Sequence, residues 1–153
     1  MFFIEPHLES ILSYLNKLED SITPEWGIMS AQRMVEHLSD SLNMAVGSDK
    51  HELAIPEEKL PSMLSFLWSD KPMAKNIQVH FAPENYTLRN ESMEFAIDEF
   101  CELWINFETT YHEAPKKTAL HPYYGPLDHT GWLRLHAKHF THHFQQFRLV
   151  QCK

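Results

Sequence analysis

Residues 133–147 read Leu133-Arg134-Leu135-His136-Ala137-Lys138-His139-Phe140-Thr141-His142-His143-Phe144-Gln145-Gln146-Phe147, and they carry four of the chain's 11 histidines. Apolar residues recur here three and four apart, the repeat of an amphipathic helix. Leu133, His136, Phe140, His143 and Phe147 fall on one stripe with His139 at its edge, so some imidazoles must point inward. His142 sides with Leu135, Lys138 and Gln146 and is expected toward solvent. Two histidines four apart can aim their nitrogens at one point, so His139 and His143 are a candidate pair of metal ligands.

A helix with an apolar face needs others to bury it. Leu8, Ile11, Leu12, Leu15 and Leu18 predict a first helix from about Pro6 to Leu18. A second should start at Ser30, a favourable N-cap, and run to about Val46 with Met34, His37, Leu38, Ser41 and Ala45 on one face. Met93, Ile97, Phe100, Trp104, Phe107 and Tyr111 predict a third, starting near Asn90 to Ser92 and stopping before Pro115. Its acids, Glu91, Glu94, Asp98, Glu99 and Glu102, read as a solvated face. The fourth is the histidine helix, capped by Thr130 or Asp128.

Between the second and third helices, Pro56, Pro61, Pro72 and Pro83 rule out one continuous helix and leave a long connection, with a short helix near Ser62 to Trp68. No segment shows the period-two alternation of a strand. These features predict an all-α four-helix bundle with a long crossover between helices 2 and 3, the architecture whose core builds metal and ligand sites from facing helices.

With 153 residues and 43% apolar composition, the chain is expected to form one domain over residues 1–153. A net charge of −8 without a basic stripe argues against nucleic acid as a partner. The N-terminal residues lack a secretory pattern and no run is long enough to span a membrane, so a cytoplasmic protein is expected. Cys101 and Cys152 form no CxxC unit and read as two free thiols.

A helix-borne pair needs at least one further ligand from a facing helix. His37 is the candidate, because no other histidine outside the fourth helix lies on the buried face of a strongly amphipathic helix. His7, His51, His80, His112, His121 and His129 fall near the N-terminus, in connections or at helix ends. Burying His37, His139 and His143 without a metal would demand separate acceptors for their ring N–H groups in a core of Leu, Phe, Met and Trp. A shared cation takes one lone pair from each ring instead. His136 is a rival ligand or a substrate-facing group. Asp40, one turn after His37, is a solvated carboxylate or an added partner. Tyr123 and Tyr124 either line a pocket above the metal or simply pack.

Residues 26–38, Trp26-Gly27-Ile28-Met29-Ser30-Ala31-Gln32-Arg33-Met34-Val35-Glu36-His37-Leu38, together with His121-Pro122-Tyr123-Tyr124-Gly125-Pro126-Leu127 and the stretch from His139 to Phe147, resemble the DinB-like superfamily. The likeness is to its bacterial branch with an HP-aromatic-aromatic-G loop and covers nearly the whole chain. It implies an up-down-down-up bundle whose metal site uses one histidine of the second helix and an HxxxH pair of the fourth, here His37, His139 and His143. Members of the wider superfamily include transferases and isomerases that use low-molecular-weight thiols such as mycothiol or bacillithiol. Two departures stand out: Asp128-His129-Thr130-Gly131-Trp132 opens the fourth helix where relatives carry Thr and Glu before the Trp, and Tyr123-Tyr124 replaces a Phe pair.

Three neutral imidazoles would hold a divalent ion, zinc or nickel first and manganese or iron next, with positions left open for water and substrate. Such an ion lowers the pKa of a thiol or a water it holds, so the expected function is a thiol-dependent S-transferase or a hydrolase acting on a small molecule. The alternative is a non-catalytic metal- or small-ligand-binding module, marked by a shell closed by Asp40 or His136. A homodimer is a further expectation for a helical bundle of this kind.

Overall fold

Side-chain caps set where the helices begin. Ser30 accepts the Arg33 N–H at 3.1 Å, Ser92 the Phe95 N–H at 3.3 Å and Asp128 the Gly131 N–H at 2.8 Å. Each satisfies one of the donors that a helix start leaves without a partner. The computed structural model describes residues 2–79, 81–83 and 87–151. Among these, the chain is mainly helical: α1 (Leu8–Leu15), α2 (Ala31–Ala45), α3 (Leu60–Trp68), α4 (Met93–Glu113) and α5 (His129–Gln146). The second, third and fourth predicted long helices start where their caps lie, the fourth on Asp128 rather than Thr130. The first is shorter than expected and is capped by the His7 ring, which accepts the Ser10 N–H.

One expectation is corrected between α4 and α5. Residues read as free of β structure form a small antiparallel ribbon, β1 (Ala119–His121) with β2 (Gly125–Leu127), in which Ala119 faces Leu127 and His121 faces Gly125. Three residues per strand are too few to display an alternation, so periodicity missed them. Gly125 turns the chain at φ +72°, and a Cβ there would approach Leu60 Cδ2 to 3.2 Å. The ribbon therefore sits close against α3. Trp132 Nε1 donates to the Ala119 carbonyl at 3.2 Å and fastens α5 to the same ribbon.

The stripe predicted on α4 is buried as expected, apart from the half-buried Ile97, and packs mainly along α2. Phe100 meets Phe140 of α5 at 5.8 Å and Trp104 meets Phe107 at 5.4 Å between ring centres. Each fully buried phenylalanine stabilises the fold by roughly 1.5–3 kcal/mol of transfer free energy. Tyr111 donates its hydroxyl to the Ala45 carbonyl at 2.7 Å and joins the ends of α4 and α2, and burial pushes its phenol up to about 12.

Two helices are covered more completely than their patterns foretold. α2 buries Arg33, Glu36 and Ser39 besides its apolar face, because residues 89–90 lie across it while α4 packs alongside. The Glu36 carboxylate accepts the backbone N–H groups of Arg89 at 3.0 Å and Asn90 at 3.1 Å and the Gln32 amide at 3.2 Å. Asp40 is then clasped by Arg33 at 3.0 Å and Arg89 at 2.8 Å, and Arg89 also reaches Glu99 at 2.7 Å. Glu99 is therefore half-buried in an ion network, while Glu91, Glu94, Asp98 and Glu102 are exposed as expected.

On α5, Leu135, Lys138 and Gln146 were expected with His142 toward solvent, yet all three are buried and His142 is half-buried. The crossover is the reason. Lys138 donates to the carbonyls of Phe66 at 2.7 Å and Ser69 at 3.0 Å, and Arg134 to those of Leu67 at 3.0 Å and Ser69 at 2.7 Å. These are carbonyls at the end of α3, where a helix leaves acceptors short of partners, although that of Phe66 also accepts the Ser69 N–H at 3.1 Å. Cations from α5 satisfy them and hold α3 over the face that periodicity had assigned to water. Cys101 is a free thiol, and the expectation for Cys152 lies outside the described residues, as does that for His80. No described helix is long and apolar enough to cross a membrane.

Candidate metal centre

His37 sits mid-way along α2, and His139 and His143 sit one turn apart on α5. α2 and α5 pack together, which brings the three rings into one cluster. Their centroids are 4.8, 4.7 and 4.7 Å apart and their planes are inclined by 82°, 76° and 75°. This is a near-threefold propeller whose edges converge. His37 Nε2 lies 2.8 Å from His139 Nε2, which lies 3.1 Å from His143 Nε2.

The protons show why this geometry suits a cation. His143 Nδ1 is 2.7 Å from Gln146 Oε1, and an amide oxygen only accepts, so the proton sits on Nδ1 and His143 Nε2 presents a lone pair. His139 Nε2 has two nitrogen neighbours at close range but can donate one proton to only one of them. Hydrogen bonding alone thus leaves the cluster frustrated, whereas a metal ion accepts all three lone pairs at once. Zn–N bonds of about 2.0–2.1 Å in a tetrahedral site place ligand nitrogens about 3.3 Å apart, a few tenths beyond the two distances to His139 Nε2, and the three ligand atoms all lie within 4.8 Å of one another.

Electrostatics point the same way. All three imidazoles titrate well below 6.5, first because burial opposes charging, then because each is near other imidazoles, and for His37 and His143 near Arg33. They are neutral at pH 7, the form a metal needs, so no proton must be expelled from them before an ion binds.

The remaining candidates fall elsewhere. His136, read as a rival ligand, is fully buried and outside the cluster, among Trp104, Phe107, Trp132 and Phe140 at 5.9, 5.0, 5.8 and 5.1 Å between ring centres. Neither of its ring nitrogens has a hydrogen-bond partner. Burial, with His121 and His129 adding to it, lowers its pKa to about 3. An unmade buried hydrogen bond costs about 1–3 kcal/mol. Replacing this ring by an apolar side chain of similar volume, His136→Leu, should therefore raise the melting temperature without changing metal content. A fall in both would assign His136 a part in the site. Asp40, committed to Arg33 and Arg89, is likewise no member of the cluster.

The open side of the cluster faces a cavity of about 360 Å3, lined by His37, His139 and His143 and also by Tyr123 and Tyr124 of the ribbon turn. Three residues of this site were not legible as functional from the sequence. His142 lines the cavity and its ring lies 5.3 Å from that of Trp26; burial, then Lys75, lowers its pKa to about 4. His121 lies in the connection between α4 and α5 and lines the cavity, its Nδ1 accepting the Tyr123 N–H at 3.0 Å. Gln146 orients His143 and donates its amide to the Trp26 carbonyl at 2.9 Å. Its position three residues after His143 was the available signal, since that spacing shares a helix face.

Partners that fix a ligand's tautomer are worth 10–100-fold in metal affinity, by about the measure known for such shells. Gln146→Leu should weaken zinc binding by roughly that factor while one ion per chain is still taken up at saturation. Competition titration against a chromophoric chelator measures it, and unchanged affinity would refute the orienting role. No family model, curated protein or solved structure matches this chain.

Proposed function

We propose that the protein is a metal-dependent enzyme in which His37, His139 and His143 hold a divalent ion, zinc or nickel, facing a substrate cavity. The observation that carries this reading is the convergence of three imidazole Nε2 atoms at the wall of that cavity, with neither Asp40 nor His136 in position to close the shell. When bound there, a divalent ion supplies Lewis acidity, which makes a thiol or a water nucleophilic at neutral pH.

The chain's own residues would do the rest. Gln146 fixes the His143 tautomer, burial keeps the three rings neutral, and the largely apolar cavity walls surround the reacting end. The reaction class that fits is transfer to or from a thiol, or hydrolysis of a small molecule. The finer fold proposal is the DinB-like up-down-down-up four-helix bundle, supported by the order of the Trp26 to Leu38 segment, the HPYYG loop and the HxxxH pair. A cytoplasmic location and a homodimer complete the proposal.

Elemental analysis of the purified protein beside a His37→Ala variant tests the site. One equivalent of a transition metal in the parent and a large loss in the variant is the expected result, and equal metal content would overturn it. Turnover of thiols with small electrophiles, or of esters and amides, then separates catalysis from binding. Metal uptake without metal-dependent turnover of any of them would place the protein among binding modules.

A further inference from the structure

The cavity above the three histidines has walls of an unusual kind. Met29, Met44, Met63 and Met73 line it, four of the chain's seven methionines, converging from the approach to α2, from α2 itself, from α3 and from the crossover. Unbranched thioethers re-pack around irregular apolar shapes, and their concentration at one surface is a feature of adaptable hydrophobic binding. Phe66 and Leu135 continue the same surface. A volume of about 360 Å3 lies at the small end of the range for ligand pockets.

Charge is the second observation. Among the described residues, no lysine or arginine lines the cavity. Its two carboxylates are already paired, Asp40 with Arg33 and Arg89, and Asp49 with His51 at 2.9 Å. The neighbouring Lys75 is spent over the Trp26 ring, 4.3 Å from its centroid. An anionic group drawn into these walls would lose its hydration, and the nearest cations, Arg33 and Lys75, are already engaged by Asp40 and by the Trp26 ring. The third observation is a donor. Because His121 Nδ1 accepts the Tyr123 N–H, its ring proton resides on Nε2, so a ring of the cavity wall carries a neutral N–H.

We infer that the cavity selects an uncharged, predominantly apolar small molecule that carries one donor atom for the metal and one hydrogen-bond acceptor for His121. Anionic thiols, with carboxylates to desolvate, are disfavoured by the same walls. Which end of the ligand enters first rests on the metal reading above. The class of its body follows from the walls alone.

The test compares ligands that differ by one charge. The zinc-loaded full-length chain is titrated calorimetrically with benzyl mercaptan and with 4-(mercaptomethyl)benzoate, and the metal-free chain with benzyl alcohol and benzoate. The uncharged member of each pair should bind roughly tenfold or more tightly than the charged one, with a negative heat-capacity change from apolar burial. Met63→Lys should narrow or reverse that preference while zinc content stays at the parent level, and Met73→Lys on the crossover serves as a second variant should the first fail to fold. Equal or tighter binding of the carboxylates, or no binding of either uncharged probe, overturns the inference. Loss of zinc binding with the benzyl alcohol preference intact would sink the metal reading and leave the wall assignment standing.

Discussion

A His139→Ala variant is expected to lose nearly all bound metal and to weaken zinc affinity by more than the roughly 100-fold upper limit that outer partners command. His139 is the central ring of the cluster, with its Nε2 2.8 Å from that of His37 and 3.1 Å from that of His143. Removing it leaves His37 and His143 without the third nitrogen that a mononuclear site needs. The protein itself should stay folded, because the ring is half-buried at the cavity wall and meets the fully buried aromatic core of Phe100, Phe107, Phe140 and Phe144 at Phe140, 5.9 Å between ring centres. Metal analysis beside circular dichroism reads both quantities. Retained metal in a folded variant would dissolve the cluster as a site.

The second large effect is expected at Glu36, the residue before His37 on α2. Its carboxylate is fully buried and serves the N–H groups of Arg89 and Asn90, where the crossover returns to α2 before α4 begins. Glu36→Ala leaves those two backbone donors without their acceptor, while the Gln32 amide keeps only the Asn90 carbonyl at 2.8 Å, at a cost on the order of 3–5 kcal/mol, a large part of the 5–15 kcal/mol by which domains are ordinarily stable. The urea midpoint should fall by about 1–2 M.

Acid should act in the same direction. Burial by itself would raise the Glu36 pKa, but the donors from Arg89, Gln32 and Asn90 outweigh it and hold the carboxyl below 4.5. A group depressed in the folded state contributes stability that is present above its unfolded value and lost as pH falls through the folded one. The parent should therefore lose stability below about pH 4.5, and Glu36→Gln should flatten that part of the profile. An identical acid profile in the variant would show that the carboxylate is not the group responsible.

These two sites differ in how far they could be read in advance. The histidine pair and its partner were legible because metal ligation from helices obeys local spacing: four residues separate His139 from His143, and His37 lies on the apolar stripe of its own helix. Glu36 had no such signal. A carboxylate one residue before His37 looks like any solvated helix acid until residues 89–90, over fifty positions away, are laid across it. His142 went astray for a related reason. Periodicity divides a helix into two faces, but α3 and the crossover cover the face that a four-helix bundle would leave wet.

From the sequence by itself came the mainly helical class, the Ser30 cap, the start and stop of α4, and the three imidazoles that could share an ion. Those are properties of residues a turn apart, governed by backbone hydrogen bonding and helical periodicity. Only the tertiary structure decided that the three imidazoles meet at a cavity wall, that His136 is buried among rings away from them, that Gln146 sets a tautomer, and that methionines from distant segments form one wall. Each of these depends on which surfaces meet across long stretches of chain, and non-local packing leaves no period in the sequence to be read.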